Sequence, residues 1–393
     1  MTSLFVFLAA LGPMLTVVAL RRVLAEGHGI DAFGMHIFVA LGMLGAAIGA
    51  PVLGRIADRS GRVRVLAASL ALVDAVTAIA TALPSPTSLV FALRPVHGAA
   101  SMGLLALLFA SVRAAPAGMI VRAGVPMVTA LALGPALGGV LAKHSARGPF
   151  VAAAILSSLL AVALLARSAP MGAHSQRRAT RFRDLLTPLA APLALTAAHR
   201  FAIGGLVVAF ATRARLVHGM ADHTIGACFS VLLVVFAIAI CPVARVEEPK
   251  VRAWTMALGT VLFAASIASL SAAPRWGLVV SLALAGVGSA MIYAPTLALA
   301  QRASITGERA TAMGLVHAAG ALGMIAGPLV AALLDRAMHT QPTEVRAAAF
   351  MTLSGALVAA LGLGLTPKLL AIASMARSAH QSTITTPIAP KYR

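Results

Sequence analysis

The sequence predicts an all-α, polytopic membrane protein of twelve transmembrane helices in two six-helix bundles, and three observations predict it. Apolar stretches of about 20 residues recur along nearly the whole chain, each long enough to cross a hydrocarbon core of about 30 Å as a helix. Only 11% of the residues are charged and 60% are hydrophobic, with a mean hydropathy of +0.94, whereas soluble domains carry about 25% charged residues. The basic residues, finally, fall in the short segments between the apolar runs rather than on one soluble face. The net charge of +20 therefore reads as topology rather than as a nucleic-acid footprint, and no room is left for a large soluble catalytic domain.

Taken in order, the predicted spans are 3–20, 33–53, 65–83, 88–110, 120–142, 149–167, 189–211, 223–242, 253–272, 276–299, 311–334 and 346–366. No Lys or Arg precedes the first run and no small-residue cleavage site follows it, so it reads as a retained span rather than a removed signal. The longest interruption, "RSAPMGAHSQRRATRFRDLLTP", is rich in Arg, Ser and Pro and is expected to be a solvated linker. It divides the chain into bundles 1–167 and 189–366, joined by the linker 168–188. The tail 367–393 is polar, with many Ser and Thr, and is expected to be disordered.

With the amino terminus in the cytoplasm, the loops after even-numbered spans and the tail hold 20 of the 31 Lys and Arg, and the opposite loops hold nine. That asymmetry places both termini in the cytoplasm of an inner membrane. Arg21 and Arg22 are a local departure, because they follow the first span on the side that should be poor in positive charge. The halves echo each other: "GPALGG" from 134 and "GPLVAA" from 327 stand in the fifth and eleventh spans, 193 residues apart. The same offset carries Gly54 onto Glu247 in a degenerate loop, "ARVEEPKVR". Repeats of this kind accompany transporters that rock two halves about a site near the midplane.

Cys228 and Cys241 lie roughly 20 Å apart along one predicted helix, too far for a disulfide, and read as packing residues. The chain has no HExxH, no paired carboxylates at helical spacing and no His/Cys cluster, so neither an enzyme, a metal site nor a cofactor is expected.

Between the second and third spans lies "GRIADRSGRVRVL". Gly54 and Gly61 permit a tight crossing between antiparallel helices, and Arg55, Arg59, Arg62 and Arg64 suit cytoplasmic headgroups. Asp58 can accept hydrogen bonds from orphan amides at a nearby helix start. The bland alternative, a solvated basic turn, accounts for the arginines but not for the Gly–Asp spacing. The stretch resembles the signature loop of the major facilitator superfamily through Gly54, Asp58, Arg59, Gly61 and Arg62, with Ile56 for the commoner Leu and Val63 for a basic residue. The resemblance implies a latch that holds two halves in the outward-facing state.

In the fourth span, "RPVHGAASMG" is similar to the family's Arg-x-x-x-Gly motif through Arg94 and Gly98. An Arg within a span costs at least a few kcal/mol unless it is paired or wetted. Asp74, the one acidic residue placed well inside a span, lies ten residues before Pro84, and Arg94 ten after it. Equal distances from one turn give similar depth, so Asp74 and Arg94 can pair if they face each other. His97 shares Arg94's face. The three form either a proton-sensitive coupling cluster or a structural ion pair with a packed histidine.

"GPALGGVLAKH" resembles the Gly-Pro-x-x-Gly-Gly motif of the family's antiporters through Gly134, Pro135, Gly138 and Gly139. Taken alone, small residues in membrane helices mean close packing; the resemblance implies export. "TGERATAMG" before the eleventh span is also similar to the family, with Glu308 and Arg309 in the turn. Arg200 is a candidate cavity charge in the seventh span, and its neighbour His199 points elsewhere, as packing. Tyr293 offers a hydroxyl either to a central ligand or to the bundle itself, and His317 is a weaker candidate.

The expectation is a monomeric exporter of a small molecule that works by alternating access and exchanges its cargo for protons. Two intramembrane Arg against one Asp disfavour a lipophilic cation, so an anionic, zwitterionic or neutral solute is favoured. Its partners are that solute, protons and the bilayer. The alternatives are uptake or facilitated transport of a metabolite or lipid-like cargo, and a non-transporting scaffold on the same fold.

Overall fold

Large apolar side chains such as Ile48, Val76, Val162, Ile238 and Leu258 lie exposed along the helices. In water so much apolar surface would drive association; here it is the surface that meets lipid. The computed structural model describes residues 2–30, 32–112, 118, 120–167, 182–246, 249–303 and 308–385. Among them stand twelve long α-helices and no strand.

The first six helices are α1 (Thr2–Arg22), α2 (Ala32–Ser60), α3 (Val63–Ala82), α4 (Thr87–Ala110), α5 (Val125–His144) and α6 (Gly148–Ala166). The second six are α7 (Phe182–His218), α8 (Asp222–Ala244), α9 (Pro249–Ser269), α10 (Arg275–Ala303), α11 (Arg309–Ala337) and α12 (Thr343–Thr385). Short π-helical turns, Val23–Gly27 and Ile120–Gly124, follow α1 and precede α5. Ten of the helices are long and apolar enough to cross a membrane, and α1 and α9 carry shorter apolar stretches, Thr2–Val17 and Ala253–Ser269. Trp254 and Trp276, 63% and 72% exposed, mark opposite ends of the α9–α10 hairpin, as expected of aromatic belts at the two interfaces.

Each predicted span lies on one helix to within three residues, except that the fifth begins in the π-helical turn before α5. Two ends differ further from expectation. α7 begins at Phe182, inside the predicted linker, whose residues 168–181 lie outside the described ones, as does Glu247. α12 runs through Pro367 to Thr385, where a disordered tail was expected; residues 386–393 are outside the described ones. The run after Pro367 is rich in Leu, Ala, Met and Arg, strong helix formers that outweigh the single backbone bond the proline removes. Cys228 and Cys241 are both free thiols.

Packing repeats between the halves. α1 lies against α5 and α6, α2 against α4, and α3 against α4 and α6; correspondingly α7 lies against α11 and α12, α8 against α10, and α9 against α10 and α12. The echoed Gly-Pro pairs take equivalent places: Gly134 and Gly138 abut Met14 and Leu15 of α1, while Gly327 abuts Phe201 of α7. A Cβ at Gly138 or Gly327 would strike backbone and one at Gly134 the Met14 Cβ, whereas one at Gly139 would meet open space. The antiporter-type motif is thus, in this conformation, a close helix crossing.

The halves touch through α2 on α11 and its repeat, α5 on α8, with α4 also against α11. At the face that carries the α2–α3 and α10–α11 turns, one apolar cluster draws on both bundles, through Phe109 and Met127 on one side and Phe236, Tyr293, Leu297 and Met313 on the other. Toward the opposite face the clusters separate: Phe38, Leu24, Ile30 and Val90 belong to the first bundle alone, and Phe210, Cys228, Leu278 and Phe350 to the second. The bundles are thus joined at one face, and among the described residues no apolar cluster joins them at the other.

Gly98 illustrates how tight the α2–α4 crossing is, because an added Cβ would run into the Gly42 backbone. Gly98→Ala is expected to lower stability by about 1–3 kcal/mol, seen as a lower melting temperature of the purified protein in detergent. Gly139→Ala should leave that temperature unchanged.

Candidate functional site

Three polar groupings interrupt the apolar interior, and each is built by different elements. At the joined face α2 ends at Ser60, where Gly61 turns the chain with φ +64, a left-handed conformation that glycine adopts without strain. One turn earlier stands Asp58. Its Oδ1 accepts the Ala310 amide at 3.2 Å, and its Oδ2 accepts the Thr311 amide at 2.8 Å and the Thr311 hydroxyl at 2.7 Å. Ala310 and Thr311 are the second and third residues of α11, whose N-cap residue Glu308 makes no side-chain cap. Orphan amides of a helix start in one bundle are therefore capped by a carboxylate from the other, which the helix dipole also favours.

The neighbours of Asp58 fit that contact. Gly54, one turn back, leaves no space for a Cβ against the Ala310 carbonyl, and Gly314 of α11 likewise abuts Ala50 and Pro51. Arg64 donates to the Arg167 carbonyl at the end of α6, while Arg59 and Arg62 are exposed on the joined face. Glycine spacing and the carboxylate hold the bundles together; the exposed arginines decorate the surface.

The second grouping lies inside the first bundle. Asp74 is 3% exposed in α3. Its Oδ2 accepts from Ser157 of α6 at 2.8 Å. Its Oδ1 lies 3.2 Å from His97 Nδ1 but makes no hydrogen bond, because that nitrogen aligns with Thr77 Oγ1 at 3.0 Å. Three helices thus converge on one carboxylate with one oxygen left open.

The expected Asp74–Arg94 pairing is not made. Arg94 turns to α2, where Nε donates to the Phe38 carbonyl at 3.3 Å and the guanidinium lies 4.7 Å from the Phe38 ring centroid. The absent side chain of Gly42 makes the room. A charged hydrogen bond contributes about 1.5–3 kcal/mol and a desolvated cation–π contact about 2, together enough to offset the few kcal/mol of holding Arg in a span. His97 is the ionisable group nearest the Asp74 carboxylate, while Arg94 acts on it through its charge at longer range.

The third grouping joins α7, α10 and α11. The Arg200 guanidinium sits 5.8 Å from the Tyr293 ring centroid, near the outer limit of a cation–π contact, and makes no hydrogen bond or ion pair among the described residues. The Tyr293 hydroxyl donates only to the thioether of Met127 in α5, at 3.7 Å. His317 Nε2 is enclosed without a partner, and its ring meets Phe109 of α4 edge-on at 5.6 Å. Both Tyr293 and His317 feel the charge of Arg200. His199 is separate: it bonds Ser289 at 2.9 Å and stacks on Phe263.

Sequence reasoning thus reached Asp58, Asp74, His97, Arg200 and Tyr293. It missed Thr77, Ser157 and Thr311, and it set His317 low. Thr77 was the most accessible of these, since it follows Asp74 by three and so shares its face; Ser157 and Thr311 come from remote segments.

A helical membrane protein of two repeated bundles, joined through a shared apolar cluster at one face and with separate clusters toward the other, defines a secondary transporter that works by alternating access, not an enzyme. The chain belongs to the Major Facilitator Superfamily, whose family model matches residues 2–214 and again residues 192–390. Among solved structures it is similar to the human organic anion transporter MFSD10 (TETRAN), at 21% identity and a TM-score of 0.70, over 91% of this chain and 98% of that one. It is also similar to the proton:xylose symporter XylE bound to 6-bromo-6-deoxy-D-glucose, at 13% identity and a TM-score of 0.74, over 93% of this chain and 94% of that one. These likenesses show the fold. No curated protein matches the chain in sequence.

Removing the Asp58 cap should open the joined face. Asp58→Ala is expected to cost the closed arrangement about 1–2 kcal/mol, a factor of about 5–30 in its population. Faster labelling of a cysteine placed at position 310 would report it.

Proposed function

We propose that the chain exports a small anionic, zwitterionic or neutral solute in exchange for protons, from the cytoplasm across an inner membrane. The observation that carries the coupling is the open oxygen of buried Asp74 beside His97. A carboxylate with one satisfied and one open oxygen, next to an imidazole, is a place to hold a proton. Asp58, with Gly54 and Gly61, acts as the latch, and exposed Arg59 and Arg62 flank it. With the joined face toward the cytoplasm, as the distribution of Lys and Arg supports, the conformation is outward-facing and both termini are cytoplasmic. The working unit is the monomer.

The cargo's charge follows from the two intramembrane arginines. Arg94 has one hydrogen bond and a ring from Phe38, whereas Arg200 makes no hydrogen bond among the described residues, and the Tyr293 hydroxyl and His317 Nε2 lack strong partners beside it. A carboxylate or other oxyanion of the cargo supplies what all three lack. The similarity to a structure described as an organic anion transporter supports this choice. Gly134, Pro135, Gly138 and Gly139 support export. Uptake is the second reading, favoured by the similarity to a proton symporter.

In proteoliposomes Asp74→Asn should abolish flux driven by a proton gradient while leaving cargo counterflow, which needs no net proton movement. Unchanged proton-driven flux would remove Asp74 from the coupling step, and the sign of the flux decides between export and uptake. Absence of flux with every solute tried would favour a scaffold. Arg200→Gln should weaken an anionic cargo by about 10- to 100-fold, the equivalent of one lost charged hydrogen bond, and spare a neutral analogue, as measured by the concentration for half-maximal counterflow.

A further inference from the structure

The Thr77 hydroxyl has one proton to give and three neighbours. It stands 2.9 Å from the Val73 carbonyl and 3.0 Å from the Asp74 carbonyl, the acceptors that a threonine inside a helix reaches on its own preceding turn. It also stands 3.0 Å from His97 Nδ1, across from α3 to α4. Carbonyls only accept. With its proton on a carbonyl the hydroxyl makes two bonds, one given to the backbone and one received from an Nδ1–H; with its proton on Nδ1 it makes only one. The arrangement with more bonds puts the ring hydrogen of neutral His97 on Nδ1 and leaves a lone pair on Nε2.

That hydrogen points to Thr77 although the Asp74 Oδ1 is only 3.2 Å from the same nitrogen. Oδ1 is enclosed and makes no hydrogen bond, while Ser157 occupies Oδ2 at 2.8 Å and so fixes which oxygen stays open. Asp74, Thr77 and Ser157 are all buried. The His97 side chain is 15% exposed, so the imidazole is the member of the cluster that reaches the surface, and its Nε2 makes no hydrogen bond among the described residues. The titratable and charged groups around the cluster are Asp74 on α3 and Arg94 and His97 on α4, and α6 brings only the Ser157 hydroxyl. Arg94 is held at Phe38 and acts here through its charge alone.

We infer that Thr77 is a positioning residue that keeps the His97 hydrogen on Nδ1, and that His97 so held is the relay through which Asp74 takes up and returns a proton. The inference rests on the coupling role proposed for Asp74. A proton arriving at the lone pair of Nε2 forms an N–H bond there; the Nδ1–H bond breaks, and that proton forms an O–H bond on Oδ1. The ring ends neutral with its hydrogen on Nε2, the carboxylate ends as the carboxylic acid, and one proton has been taken up. The new O–H donates to Nδ1. Release runs the same steps backward and restores Nδ1–H. Until a proton arrives, Thr77 holds the ring hydrogen off the carboxylate and Oδ1 remains open to receive it.

Magnetic resonance of protein carrying nitrogen-labelled histidine, reconstituted in lipid, reads the tautomer directly, and the His97 signals are those absent from His97→Gln. Infrared spectra of the same samples follow the carboxylic acid band of Asp74, identified by its loss in Asp74→Asn. Wild type in alkali should show His97 protonated at Nδ1. On acidification the hydrogen should move to Nε2 in step with the appearance of the Asp74 band. The part of Thr77 is read with the carboxylate removed: Asp74→Leu should keep Nδ1–H, Asp74→Leu/Thr77→Val should lose it, and Asp74→Leu/Thr77→Ser should retain it. The inference is overturned if wild type in alkali carries its hydrogen on Nε2, or if the Val and Ser variants show the same tautomer. The wild-type spectra decide alone if the Leu variants do not fold. An Asp74 band that appears with acid while the His97 tautomer stays fixed removes the relay and leaves the coupling reading; an Asp74 band absent at every pH removes both.

Discussion

The arrangement of the whole molecule depends on one carboxylate lying across a helix start that belongs to the other bundle. Asp58 gives α11 the cap that its own Glu308 does not supply. The contact is worth little by the measure of a hydrophobic core, a kcal/mol or two. That scale suits its position, since a joint that must open repeatedly cannot be as strong as the bundles it joins. The tight glycine crossings around it, Gly54 on Ala310 and Gly314 on Ala50, give shape rather than strength. They bring amides and carboxylate within reach, and the shared apolar cluster beneath them excludes water from the joint.

Polar groups in the interior divide by how completely the protein satisfies them. Arg94 has a ring beneath it and a carbonyl beside it, and His199 has a serine and a ring. These read as structure. Arg200, His317 and one oxygen of Asp74 are left incomplete. In a low-dielectric interior an unmet donor or acceptor is expensive, so the incomplete groups are where cargo or protons have something to gain. They also occupy different places: Asp74 lies within the first bundle, between α3, α4 and α6, and Arg200 lies where α7, α10 and α11 meet the other bundle. The exchange proposed above would have to be relayed between them through helix movement rather than by direct contact.

Helix number, order and the two-bundle plan were legible because hydrophobic length and charge asymmetry are local properties of the chain. The Asp58 cap was legible for a similar reason: Gly54, Asp58 and Gly61 fall within eight residues, and what they require, a nearby helix start, is generic. Depth was legible too, and it placed Asp74 and Arg94 at a similar level. Facing was not, since which side of α4 Arg94 presents depends on how α2 packs, and the space left by Gly42 decided it. Ser157 and Thr77 escaped because a lone hydroxyl in an apolar run announces nothing until the helix beside it is known.

The chain has only two tryptophans, and both stand at the ends of the α9–α10 hairpin, pointing away from the interior. Its ultraviolet emission is consequently a signal from the bilayer edge. Brominated lipids or changes in acyl-chain length will alter that glow, whereas a solute lodged between the bundles has no indole nearby to dim. Light from this protein reports how it floats, not what it carries.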